Sequence, residues 1–132
     1  MIEVRTGYYR QIRKYREMGY HAIAISLMVP RWAINDIDRR IFSLAPTQSI
    51  LDTLPDEALY TRRFREEVLL RADARKLYDE EIEHYVKVAG RAKAVLLCYE
   101  SPEKFCHRHL VAQWFKEQIG LDVTEIGKEE MQ

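Results

Sequence analysis

The sequence lacks the features that mark secreted and membrane-spanning chains. No apolar run approaches the roughly 20 residues that a bilayer requires. The first residues, MIEVRTGYYRQ, contain neither an apolar signal core nor a small-residue cleavage site. These absences predict a cytoplasmic protein without a membrane segment. In that compartment we expect its two cysteines to be reduced.

The chain also lacks net charge, because 21 basic side chains balance 21 acidic ones. Residues 1–65 carry 11 Lys and Arg against 7 Asp and Glu, whereas residues 66–132 carry 10 against 14. The basic excess is concentrated in five residues, Arg5, Arg10, Arg13, Lys14 and Arg16. Such a cluster is able to contact phosphates. In a helix, however, these residues occupy a solvated face, and overall neutrality argues against strong nucleic-acid binding.

The length and composition fit one globular domain. Hydrophobic residues make up 47% of the 132 residues and charged residues 32%, which is typical of a folded chain. A chain of this length forms one sizeable core rather than two. We therefore expect a single domain over residues 1–132.

Strand and helix patterns alternate along the chain. Predicted strands cover residues 2–5, 21–29, 93–100 and 121–126, and predicted helices cover residues 6–18, 57–72, 74–90 and 101–120. Residues 31–48 are irregular and predict a long connection, and the final KEEMQ is expected to fray. The alternation predicts an α/β three-layer sandwich, Rossmann-like, with a mostly parallel sheet of about four strands and a helical insertion.

Residues 96–109, LLCYESPEKFCHRH, concentrate reactive side chains at a strand-to-helix turn. Cys98 falls at the carboxyl end of a predicted strand, where open parallel sheets bind ligands. The helix that follows points its N-terminus to the same place, and such a terminus attracts anions and lowers the pKa of a thiol. Cys98 and Cys106 are therefore candidate catalytic nucleophiles.

The helical period orients the residues after the second cysteine. At 100° per residue, His107 lies on the apolar stripe, Arg108 lies on its flank and His109 faces solvent. His107 is then a candidate base or orienting group. Arg108 and the helix N-terminus are candidates to bind an anionic ligand, such as a nucleotide or a nucleic-acid phosphate.

Other uses of the two cysteines remain open. A zinc site needs four converging ligands, and His107 and His109 point about 160° apart on a helix, so no metal ligand is assigned. A redox pair requires the two sulfurs to meet, which the turn permits. A phosphatase-type loop is not supported, because no arginine lies six residues after Cys98. Both cysteines also suit buried packing positions.

The stretch LLCYESPEKFCHRHLVAQW resembles the C-terminal signature of the domain of unknown function 488 family. In that family a strand ends in Leu-Cys, an acidic residue follows and Cys-His-Arg opens a helix. RTGYY, IAISLMVPRW, LAPTQSIL and LYTRRF resemble a shorter branch that includes phage and bacterial proteins. The resemblance implies an α/β fold and a shared pocket formed by Cys98, Glu100, Cys106, His107 and Arg108. It implies no reaction and no cofactor.

One part of the family pattern is absent from this chain. The broader family has an Asp-Val-Arg stretch after its second strand, whereas this chain reads SLMVP at residues 26–30. Pro30 and Arg31 are the candidates to stand in for that stretch as binding residues.

Three functions follow from these patterns. The first is a small α/β enzyme with a thiol, histidine and arginine pocket that binds an anionic ligand. The second is a non-catalytic nucleic-acid or protein binding module that uses the basic N-terminal helix. The third is a metal-binding protein that uses the cysteine and histidine cluster.

Overall fold

A computed structural model describes residues 1–132 as an α/β fold around one parallel sheet. Its five strands are β1 (Glu3–Tyr8), β2 (Tyr20–Ala24), β3 (Arg39–Arg40), β4 (Lys93–Cys98) and β5 (Val123–Glu125). They lie in the order β3-β2-β4-β1-β5, and every neighbouring pair is parallel. The predicted three-layer, Rossmann-like fold is confirmed, with one strand more than the sequence indicated.

The helices follow the strands in the predicted order. They are α1 (Ile12–Glu17), α2 (Gln48–Leu51), α3 (Glu57–Glu67), α4 (Ala74–Leu77), α5 (His84–Val88) and α6 (His107–Ile119). A π-helical segment, Tyr78–Glu83, joins α4 to α5. Asp56 and Asp73 cap α3 and α4 by accepting backbone N–H groups, as their positions in the sequence predict. None of the helices has the length and hydrophobicity that crossing a bilayer requires.

Helices cover both faces of the sheet. On one face, α3 to α6 bury residues such as Phe64 and Phe115 against Ile23 and Leu96. On the other face, α1 and the segment before it form a second apolar cluster, which includes Tyr15 and Leu97. Burial on both faces explains why β2 and β4 read as continuous apolar runs.

Two predictions from the sequence, a helix start and an irregular connection, are wrong for the same physical reason. Thr6 was expected to begin a helix, but β1 continues to Tyr8 because residues 3–8 all pair with β4. The buried Thr6 hydroxyl donates to Glu125 instead of capping a helix. In the connection at residues 31–48, Arg39 and Arg40 pair with β2 and form the unexpected β3. Sheet pairing thus overrides the local pattern at both places.

The C-terminal tail does not fray as expected. Residues Lys128–Met131 form a short 3-10 helix, and Arg5 on β1 donates to both carboxylate oxygens of Glu130. Ile126 is buried in the second apolar cluster. The tail is therefore packed along the edge of the sheet.

Candidate functional site

The two cysteines meet at the carboxyl end of the sheet. Cys98 is the last residue of β4, and residues 99–105 form a turn that returns the chain to Cys106, the N-cap of α6. The sulfurs of Cys98 and Cys106 are bonded to each other. The structure therefore holds a disulfide where the sequence predicted two reduced thiols, because this turn brings the second cysteine back to the strand end.

The turn also corrects the predicted start of α6. The helix predicted over residues 101–120 was expected to begin at Ser101, but it begins at His107. Ser101 donates instead to the carboxylate of Glu103, two residues further on. The shift places Cys106, rather than Ser101, at the positive end of the helix dipole, where a thiolate is favoured.

Arg108 lies wholly inside the protein. Its Nε and Nη2 atoms donate to the two carboxylate oxygens of Glu125, each at 2.9 Å. Its Nη1 atom donates to Cys98 Sγ at 3.2 Å. The guanidinium is thus directed at the edge strand β5 and at a sulfur, and Glu125 balances its charge.

His107 is buried between the helix and the end of β2. Its Nε2 atom lies 2.6 Å from the carbonyl oxygen of Ile25, so this nitrogen carries the proton and donates it. The lone pair of Nδ1 then faces Cys106 Sγ at 4.0 Å. Burial lowers the pKa of His107 to about 4. At neutral pH the ring is uncharged and is able to accept a hydrogen bond from a Cys106 thiol.

A cavity of about 310 Å³ opens over the disulfide, and we call it the thiol pocket. Its lining is mostly apolar and comes from four segments of the chain: residues 26–28, residues 46–60, residues 98–100 and residues 105–107. Cys98, Cys106 and His107 all contribute to the lining, and Glu100 lies at the exposed rim. The two cysteines therefore border a space of the size that small-molecule ligands occupy.

The remaining predicted residues lie outside this pocket. Pro30 lines a separate cavity of about 320 Å³, which shares Tyr99 and Glu100 with the thiol pocket. Arg31 is exposed and lines neither cavity. His109 was expected to face solvent, but it is half-buried and its buried Nε2 atom has no hydrogen-bond partner. It does not join the cysteines.

Two residues that take part in the site were not identified from the sequence. Glu125 holds Arg108 but lies on β5, and nothing in its local sequence marks it. Ser26, at the end of β2, lines the thiol pocket and pairs with the Tyr9 hydroxyl at 2.5 Å. A polar residue shortly after a buried parallel strand is the signal that could have identified Ser26.

The same atoms form the one candidate cation cluster in the chain. One ligand atom from each of Cys98, Cys106 and His107 lies within 4.8 Å of the other two. Once the disulfide is reduced, two thiolates and a neutral imidazole are ligands that suit zinc or a softer metal ion. The His107 hydrogen bond to a backbone carbonyl resembles the support that metal-binding histidines receive.

Comparison with known proteins identifies a family whose model matches most of the chain. The protein-family model DUF488-N3a, described as the active DUF488-N3 subclade, matches residues 8–119. The matched range includes both cysteines, His107 and Arg108, and ends before Glu125. No curated protein and no solved structure matches the chain significantly.

Proposed function

Since this chain belongs to the DUF488 family, and the matching subclade is described as active, we propose that it is an enzyme with a cysteine nucleophile. The observation that supports this function is the convergence of Arg108 and His107 on two sulfurs at the floor of one pocket. The working form is the dithiol, because a disulfide masks both sulfurs.

Cys106 is the proposed nucleophile. It lines the thiol pocket, and it is the more exposed of the two cysteines, at 8% against 1% for Cys98. It is also the N-cap of a helix of 13 residues. The helix dipole favours its thiolate.

Cys98 is the proposed proton acceptor. Its neighbour Arg108 stabilises the thiolate through a charge-assisted hydrogen bond. When the Cys106 sulfur forms a bond to an electrophilic carbon of the ligand, its proton passes to the Cys98 thiolate, and the bond from that carbon to a leaving group breaks, so that the leaving group departs with the electron pair. His107 does not hold this proton, because its pKa is about 4. It orients the Cys106 thiol through Nδ1.

The proposed ligand is anionic and enters through the rim that includes Glu100. Arg108 acts on Cys98 rather than on the ligand, since its donors are directed at Glu125 and Cys98. Pro30 and Arg31 lie on the neighbouring surface and are proposed to contact parts of the ligand outside the thiol pocket.

Alkylation of the reduced protein tests this function. After reduction with dithiothreitol, iodoacetamide should modify Cys106 before Cys98, at a rate whose pH midpoint lies below the value of about 8.5 for a free thiol. Peptide mapping identifies the modified residue, and the Cys106→Ser variant is the control. Preferential modification of Cys98, or no modification before unfolding, would overturn the assignment of Cys106.

Metal binding is a second candidate, favoured by the cluster of Cys98, Cys106 and His107. Addition of Co²⁺ to the reduced protein should then give thiolate-to-metal absorption that both Cys98→Ser and His107→Gln abolish. If Co²⁺ gives no such absorption, this candidate is removed and the nucleophile proposal is unaffected.

A non-catalytic nucleic-acid or protein binding module has weaker support. Much of the basic charge of α1 is paired within the protein, since Arg13 and Arg16 contact Asp36 and Arg16 also contacts Asp38. Retention of all ligand binding with no thiol reactivity at Cys98 or Cys106 would favour this module over an enzyme.

A further inference from the structure

The chain leaves β1 and β4 toward opposite faces of the sheet. These strands are neighbours, yet β1 is followed by α1 on one face and β4 is followed by α6 on the other. A crevice therefore opens between the carboxyl ends of the two strands. In open α/β sheets, such a switch point is where ligands bind.

The cavity of about 320 Å³ that shares Tyr99 and Glu100 with the thiol pocket lies in this crevice. We call it the switch-point groove. One wall follows β1 and includes Tyr8, Tyr9 and Arg10, and another follows β4 and includes Lys104. Pro30 and Trp32 close the third side.

Aromatic rings are unusually accessible in this groove. Trp32 is 60% exposed and Tyr99 is 48% exposed. The Tyr99 ring is held by an edge contact with Tyr9, with ring centroids 5.2 Å apart. An exposed tryptophan beside a fixed tyrosine is a surface on which a planar base stacks.

Cationic groups lie beside the rings. Arg10 and Lys104 line the groove from its two walls, are exposed and take part in no ion pair. Their charges complement a phosphate. The carboxylate of Glu100 accepts hydrogen bonds, which suits a sugar hydroxyl or a base amino group.

We propose that the switch-point groove binds a nucleotide, with its base against Trp32 and Tyr99 and its phosphate against Arg10 and Lys104. This inference rests on the proposed function and names its substrate class, because a ligand in the groove reaches Cys106 past the shared residues Tyr99 and Glu100. The nucleotide is either free or one unit of a single strand, since both present the same base and phosphate.

Binding is tested with AMP and with a short oligothymidylate. Calorimetry measures affinity for the Cys98→Ser/Cys106→Ser variant, which has no thiol chemistry, and for the same protein with further substitutions. Arg10→Ala/Lys104→Ala should weaken binding about tenfold or more, and Trp32→Leu should weaken it by a similar factor. The matched control Arg62→Ala/Lys87→Ala removes two exposed cations elsewhere and should leave affinity unchanged.

The two probes distinguish the two sources of the nucleotide. Equal affinity for AMP and the oligonucleotide supports a free nucleotide. Tighter oligonucleotide binding that falls steeply with salt supports a strand. Binding of neither probe, or equal weakening by the control pair, overturns the inference.

Alkylation of Cys106 separates this inference from the proposed function. If Cys106 reacts as expected while neither probe binds, the nucleotide inference fails and the thiol chemistry stands. If the probes bind in the groove while Cys106 is unreactive, the thiol chemistry fails and the groove stands.

Discussion

Among single residues, Arg108 links the stability of the fold to the chemistry proposed for Cys98. Its side chain is fully buried and pairs with Glu125, whose side chain is 20% exposed. In Arg108→Met, Glu125 loses its cation and Cys98 loses its donor. We expect the free energy of unfolding to fall by about 3 kcal/mol, as when one member of a buried ion pair is removed. We also expect the pH midpoint of Cys106 alkylation to rise. Urea unfolding and alkylation rates measure the two effects.

Two control variants separate these effects. Arg108→Met/Glu125→Gln removes both charges, keeps an amide oxygen that accepts from the buried Thr6 hydroxyl, and should recover much of the lost stability while the alkylation midpoint stays raised. Arg65→Met breaks exposed contacts with Gln113 and Glu117 and should cost less than about 1 kcal/mol. An unchanged midpoint in both Arg108 variants would contradict the role assigned to this residue.

His107 makes stability depend on pH over a defined interval. Burial lowers its pKa from 6.5 to about 4. Between these values the unfolded chain binds a proton that the folded chain does not, so stability falls as pH decreases from about 6.5 to about 4. The slope from this residue is at most about 1.4 kcal/mol per pH unit. This slope vanishes above a pH of about 6.5.

The variant His107→Gln retains an N–H group for the Ile25 carbonyl and removes the titrating ring. Urea unfolding at a series of pH values should show a shallower acid slope for this variant than for the native protein. His21 and His109 also have lowered pKa values because of burial, so part of the slope remains. His84→Gln, on the exposed surface of α5, is the control. An identical slope in His107→Gln and the native protein would contradict the prediction.

At the scale of elements, the turn between β4 and α6 carries a redox-dependent contribution to stability. The disulfide closes a loop between residues eight positions apart. Crosslinking a loop of this size is expected to stabilise the fold by about 2–3 kcal/mol. Dithiothreitol should therefore lower the free energy of unfolding by that amount. The variant Cys98→Ser/Cys106→Ser should show no response to the reagent, and an equal response in both proteins would refute the prediction.

Elements were predictable where local chemistry decides the conformation. Asp56 and Asp73 begin helices as their sequence positions indicate, and Gly90 and Gly120 end helices with positive φ angles of 73° and 68°. The start of α6 was not predictable in this way. Ser101 and Pro102 look like a helix start, but the turn continues to Cys106. Local capping chemistry cannot reveal that the chain folds back to the strand end.

At the scale of the whole molecule, the sequence pattern predicted the three-layer fold but not which strands are neighbours in the sheet. Apolar runs indicated buried parallel strands, whereas the order of strands depends on crossovers that no short stretch encodes. The position of β5 beside β1 is what brings Glu125 to Arg108. Periodicity alone was enough to assign His107 to the apolar side of its helix. The partner of Arg108 depends on the order of the strands, so periodicity could not identify it.

The packing of the C-terminal tail also depends on residues that are distant in the sequence. Ile126 is 1% exposed among residues of the α1 face, and Met131 packs against the same cluster. Arg5 on β1 holds Glu130 from the other side. Removal of residues 126–132 should therefore expose part of this cluster and free Arg5. We expect a loss of about 2–4 kcal/mol, mainly from the Ile126 side chain.

Urea unfolding of the truncated chain measures this loss, and Glu130→Gln separates packing from charge. That variant keeps the apolar contacts and removes only a partly exposed ion pair, so it should cost no more than about 1 kcal/mol. Ile126→Ala in the full chain should account for most of the truncation effect, because it removes the buried side chain alone. If truncation costs no more than Glu130→Gln, the tail is held to the sheet by charge and contributes nothing to the apolar core.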